Sequence, residues 1–200
     1  MSDKQHPLLD NILPRAELVS CILTVLGLGL KYLLFPTGNT LLLVGLVTLA
    51  TVQYLRAFAP VAGVDESLGF DYVPVNSPSQ QAFTHLLLPK IKGIASAVTL
   101  IGILFKLLLW KGAAIMLLTG VPALALIIAI QLATGTLPRL DACITALGII
   151  VWLVPADTFI QQFYRDDPTL VDKMIYQQHH PKDPAAAAEV VRLLHARRTH

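Results

Sequence analysis

The chain has 200 residues, of which 54% are hydrophobic and 14% charged, whereas a soluble domain carries about 25% charged residues. That composition excludes an ordinary water-exposed globular protein and points to the lipid bilayer as the main partner. The net charge of +2, from 15 basic and 13 acidic residues, and the lack of any RNA- or DNA-binding motif exclude nucleic acid as a partner.

Residues 1–15 form a polar N-terminal arm with two prolines. A cleaved secretory leader would need a short apolar core and a small-residue cleavage site. Here the apolar run extends from Ala16 to Phe35, about the 20 residues that cross a hydrocarbon core of roughly 30 Å. A second run, Thr40 to Ala59, has the same length, and only Pro36-Thr37-Gly38-Asn39 separates the two. That turn signal predicts an antiparallel hairpin over residues 16–59.

Residues 60–92 read as a polar loop. It contains Asp65, Glu66 and Asp71, which suit a solvated face, and 83–92 suit an interfacial lead-in to the next span. A second hairpin is predicted over 93–133, broken at Lys111-Gly112, with a kink at Pro122. Tyr32, Phe35 and Trp110 fall near the two tips, where an aromatic belt is expected.

The two hairpins are alike. Residues 24–50 align with 99–125 without a gap at an offset of 75, with ten of the 27 positions identical. Thr24, Gly27 and Lys31 recur as Thr99, Gly102 and Lys106, and Gly45 recurs as Gly120. Spacings of i, i+3 and i+7 put each Thr, Gly and Lys on one helix face. Small residues on such a face let helices approach closely in lipid, so Thr24, Gly27, Gly45, Thr99, Gly102 and Gly120 are the expected packing positions. A pseudo-twofold bundle is the expected consequence. Lys31 and Lys106 either extend to the headgroups or serve a function inside the membrane.

A fifth apolar run, Ala142 to Ala156, is short, and extension through Ile160 makes residues 139–160 a fifth membrane helix. Thr145 and Gly148 repeat the Thr-x-x-Gly spacing, with Trp152 in the lysine position. Asp141 and Asp157 mark its rims, as interface residues or partners for lysines. The tail, 161–200, is polar, with short helices expected at Thr169–His179 and, basic and weakly amphipathic, at Pro184–Arg198. The tail histidines have no metal-ligand spacing and are expected at the surface. Cys21 and Cys143 lie in apolar runs and are expected as small buried hydrophobes. The fold class is thus all-α: a polytopic membrane bundle of two repeated hairpins, a fifth hydrophobic helix and a short basic C-terminal helix.

Charge counting makes the fifth run decisive for topology. If it crosses, Lys4, Arg15, Arg56, Lys90, Lys92 and Arg139 share one side, against nine basic residues at the tips and tail. The positive-inside rule then favours a cytoplasmic tail. If it does not cross, 12 basic residues share the side of the N-terminus and that side is cytoplasmic.

No nucleophile elbow, phosphate loop, HExxH or paired-carboxylate motif is present. Neither enzyme activity nor a cofactor or metal is expected. The interiors of the four clear spans carry no ionisable residue besides the two lysines, which disfavours a proton relay.

Gly45-Leu46-Val47-Thr48-Leu49-Ala50, followed by Leu55-Arg56-Ala57-Phe58-Ala59-Pro60-Val61, resembles the transmembrane hairpin of GldL. GldL is the inner-membrane subunit of the gliding-motility and type IX secretion motor of Bacteroidota. Ile101-Gly102-Ile103-Leu104-Phe105-Lys106, then Trp110 and Gly112, is similar to that family's first helix and turn. The family pairs a lysine of the first helix with a glutamate of the second. Here Lys31 and Lys106 match the lysine, and Leu49 and Leu124 stand where the acid falls. The resemblance implies a multi-pass protein of a bacterial inner membrane, a non-catalytic assembly or accessory component that associates with other membrane subunits or with itself. The alternative is a small transporter or channel in which Lys31 and Lys106 form an anion site.

Overall fold

The computed structural model describes residues 7–35, 37–58, 87–133 and 139–198, with side chains from Ile12 onward and without those of Arg139, Arg197 and Arg198. The described residues form eight helices: α1 (Pro7–Tyr32), α2 (Thr37–Phe58), α3 (Leu88–Leu107), α4 (Ala113–Ala133), α5 (Arg139–Leu153), α6 (Ala156–Phe163), α7 (Pro168–His179) and α8 (Pro184–Arg198). Four of them, over Ile12–Tyr32, Thr37–Phe58, Leu88–Leu107 and Ala113–Ala133, are long and apolar enough to cross a membrane.

Helix α1 starts within the expected polar arm, so residues 7–15 continue the span's helix and do not form a separate segment. The loop expected over 60–92 lies outside the described residues up to 86, and Leu88–Lys92 form the first turn of α3. Helix α4 runs unbroken through Pro122, which is exposed.

Both hairpins turn by the same device. Leu34 and Leu109, 75 residues apart, adopt left-handed φ values of 65° and 60°. Around the first, the Leu34 amide donates to the Lys31 carbonyl (3.0 Å) and the Phe35 amide to the Leu30 carbonyl (2.9 Å). Around the second, Leu109 donates to Lys106 (3.2 Å) and Trp110 to Phe105 (2.7 Å). These paired 5→2 and 6→1 bonds are a Schellman cap, in which a residue with left-handed φ ends the helix and is usually glycine. The accompanying apolar contact is present in the second copy, where the Phe105 and Trp110 rings meet edge to face at 5.2 Å. The helices therefore end at Tyr32 and Leu107, before the residues whose composition signals a break. Gly38, expected in the first turn, instead opens α2.

The glycines hold the hairpins tight. A Cβ on Gly27 would lie 2.5 Å from the Leu42 nitrogen, and one on Gly45 2.7 Å from the Thr24 nitrogen. The same pairs recur at Gly102 against Leu117 (3.1 Å) and Gly120 against Thr99 (2.9 Å to nitrogen). The Thr/Gly faces thus pack inside each hairpin, as small-residue contacts between apolar helices do. Leu42 and Leu117 are both fully buried there.

Between hairpins the arrangement is head to tail, not pseudo-twofold. Helix α2 packs on α3, where a Cβ on Gly93 would meet the Gln53 oxygen at 2.6 Å, but among the described residues α1 and α4 make no comparable contact. Helix α4 packs on α5 instead, and α5 also sits on α3. Gly148 of α5 fits against the Thr99 methyl and Val121, at 2.9 and 3.0 Å from its would-be Cβ. The odd-numbered helices α1, α3 and α5 consequently run parallel, with α2 and α4 returning between them.

The fifth run is not one straight helix over 139–160. It breaks after Leu153 and turns by 91° into α6. Pro155 explains the break: it has no N–H for the Val151 carbonyl and disfavours helical geometry at Val154. Helix α6 folds across the tip end, and its Phe163 joins the core with the Leu42, Leu46 and Leu100 cluster. Helix α7 is capped by Asp167, whose carboxylate accepts from the Leu170 amide at 3.1 Å. It agrees with the expected segment, as does α8. Cys143 is exposed and Cys21 part-buried, so the expectation of two buried thiols fails; both helices expose apolar faces there.

Gly27→Ala is expected to lower the thermal unfolding free energy by about 1–3 kcal/mol through overpacking against Leu42. Gly29→Ala, with open space around it, is expected to be neutral or stabilising. Equal effects in detergent unfolding of the two variants would contradict the close approach.

Candidate functional site: polar groups at the two ends of the bundle

Three threonines recur at equivalent points of the parallel helices α1, α3 and α5. Thr24, Thr99 and Thr145 each turn their hydroxyl back to the carbonyl four residues earlier, of Ser20, Ala95 and Asp141, all at 2.8 Å. This local bond satisfies the hydroxyl within its own helix. It leaves the methyl for packing, and in α3 the Thr99 methyl is the one that meets Gly148.

One turn beyond the glycines stand Lys31 and Lys106. At the end of α3, the carbonyls of Leu104, Phe105 and Lys106 accept from the amides of the cap, which leaves Leu107. The Lys31 ammonium donates to the Leu107 carbonyl at 2.7 Å and lies 4.5 Å over the Phe163 ring. Lys106 in turn donates to the Trp152 carbonyl in the last turn of α5, at 3.1 Å. Each lysine therefore serves the C-terminal end of the next parallel helix, where unpaired carbonyls and the helix dipole favour a cation. The end of α1 receives a third cation, as the Arg165 guanidinium lies 5.7 Å over the Tyr32 ring. The cavity that Lys106 lines does not include Lys31.

Ion pairs occupy the opposite end. Glu17 pairs with Arg56 at 2.5 Å and accepts from the Gln53 amide at 3.3 Å. Asp141, 3% exposed, pairs with Lys92 at 2.6 Å. Asp141 is thus a buried partner for a lysine and not merely an interface marker. Glu17 stands inside the apolar run of residues 16–35, so the span interiors are not free of acids as expected. At the tip end, by contrast, Asp157 of α6 pairs with His179 at 3.0 Å. Among the described residues no three His, Cys, Asp or Glu groups come together as a metal site.

Leu49 and Leu124 are buried at 4% and 0% exposure in the common core. No protein-family model, curated protein or solved structure matches the chain.

Removing one member of the Lys92–Asp141 pair strands a charge. Asp141→Asn is expected to destabilise by about 3 kcal/mol, the low end for such pairs because Lys92 keeps some solvent contact. Lys92→Leu with Asp141→Leu is expected to recover most of that loss in the same unfolding assay. Equal stability of Asp141→Asn and wild type would contradict the pair.

Proposed function

We propose that this chain is a non-catalytic assembly or accessory component of a bacterial inner membrane, built from a duplicated GldL-like hairpin and closed by α5 as a fifth span. The observation that carries the reading is the use made of the repeated lysines. Both are engaged on helix ends within the chain, on two different helices. That suits a scaffold whose polar groups hold its own spans in register. It suits less well a transporter in which the two lysines share an anion.

Treating α5 as a span is supported by its attachment to α3 at both ends, through Lys92–Asp141 and Lys106–Trp152. At 15 residues it measures about 22 Å, less than a full core thickness, and α6 completes the run along the tip surface. The tips and α6–α8 then share one side with Lys31, Lys106, Lys111, Arg165, Lys173, Lys182, Arg192, Arg197 and Arg198. Five described basic residues, Arg15, Arg56, Lys90, Lys92 and Arg139, lie at the other end, so the tail is cytoplasmic and the N-terminus faces away from the cytoplasm. Lipid or a neighbouring subunit covers the outward face of α1, where Leu18 and Val25 are 61% and 70% exposed.

Gentle detergent extraction followed by identification of co-purifying proteins tests the role: recovery of other membrane subunits in fixed proportion is expected, and recovery of the protein alone contradicts it. A reporter fused after His200 is expected to read as cytoplasmic. Anion flux in proteoliposomes that is lost in Lys106→Gln would establish the transporter in place of the scaffold.

A further inference from the structure

The tip end also holds a cavity of about 240 Å³ between the second hairpin turn and helices α6 and α7. Two lysines, Lys106 and Lys111, and Trp110 line it, together with Gln178 of α7, and no carboxylate is on the lining. Asp157, next to the lining residue Ala156, is engaged with His179. Lys106 gives one N–H to Trp152, and an ammonium has three.

Leu109, Ala156 and the start of α4, from Gly112 to Ala114, complete the lining. The Met116 amide is bonded to the Gly112 carbonyl at 3.2 Å, so the amides of Ala113 and Ala114 precede the first turn's closure. The first turn contains no acidic residue. Gly112 has a φ of 95° and nothing within 4 Å of where its Cβ would stand, so this stretch is open to approach. Two lysines, a helix start and a tryptophan lining one opening make a site for a compact oxyanion with several acceptor oxygens.

We propose that this cavity binds a phosphate group, carried by the headgroup of an acidic phospholipid or as free inorganic phosphate. The cavity lies where α3 ends and α4 begins, at the end of two apolar spans. In a bilayer this is the level of headgroup phosphates, and an indole is at home there. The membrane reading enters only in the choice of lipid as the source. Lys111 supplies charge from an exposed turn, so replacing it leaves the helix packing alone. Lys106 anchors the second charge through α5.

The test uses the full chain in nanodiscs of equal phosphatidylcholine and phosphatidylglycerol, released for native mass spectrometry. A second arm measures thermal unfolding of detergent-purified protein in inorganic phosphate against chloride at matched ionic strength. Preferential retention of phosphatidylglycerol, reduced about tenfold by Lys111→Gln and unchanged by Lys182→Gln, assigns the lipid headgroup. A phosphate-dependent rise in midpoint that Lys111→Gln abolishes assigns free phosphate, and this arm holds whether or not the protein resides in a membrane. The proposal is overturned if neither arm shows a preference in the wild type, or if Lys111→Gln keeps the preference of the wild type in both.

Discussion

Three parallel helices that end at one level leave their unpaired carbonyls together, and something positive has to meet them. In this chain α1, α3 and α5 have that problem, and the repeated lysines answer it in sequence. Lys31 of α1 serves the Leu107 carbonyl of α3, and Lys106 of α3 serves the Trp152 carbonyl of α5. Arg165 returns to the end of α1 because α6 folds across the tips, a course imposed by Pro155. The series then stops, since α5 carries Trp152 where its predecessors carry lysine. In a low-dielectric setting an unmet carbonyl is expensive, so these contacts fix how far each helix slides against the next.

That directionality also sets the shape. A lysine that reaches forward to the next helix makes a relation that repeats by displacement, whereas a twofold would require each hairpin to reach the other in the same way. The glycine contacts agree with this. Within each hairpin Gly27, Gly45, Gly102 and Gly120 bring backbones together; between successive units Gly93 does so, and Gly148 admits the side chains of Thr99 and Val121. At the far end the closure is ionic, through Glu17–Arg56 and Lys92–Asp141. The interior between the ends is almost wholly aliphatic, with Ser20, Ser96, Thr99 and Thr145 as small exceptions.

Much of this was legible in the residues. The i, i+3, i+7 pattern at Thr24, Gly27 and Lys31 identified the packing face, because a helix fixes which residues share a side. The ends of the helices were not legible, since the left-handed positions are Leu34 and Leu109, and leucine carries no signal of a stop. The nearby Pro36, Gly38 and Gly112 drew attention two to four residues too late. The partner of Lys31 was hidden for a deeper reason: it is a backbone carbonyl 76 residues away, and a carbonyl has no side-chain identity to read. Pro155 did carry a signal, as a proline inside an apolar run ends or kinks the helix before it. The pairing of Asp141 with Lys92, and of Glu17 with Arg56, depended on which helices become neighbours, which periodicity alone leaves open.

The central claim is that Lys31 stabilises the bundle by meeting the end of α3. Thermal or denaturant unfolding of Lys31→Met tests it most directly, because methionine keeps the length and removes the charge. If the ammonium caps α3, the variant is less stable by about 1–2 kcal/mol, the combined scale of a charged hydrogen bond and a helix-end cation. If the lysine only extends to the headgroups, methionine relieves a desolvated charge, and a variant as stable as the wild type or more so would contradict the account.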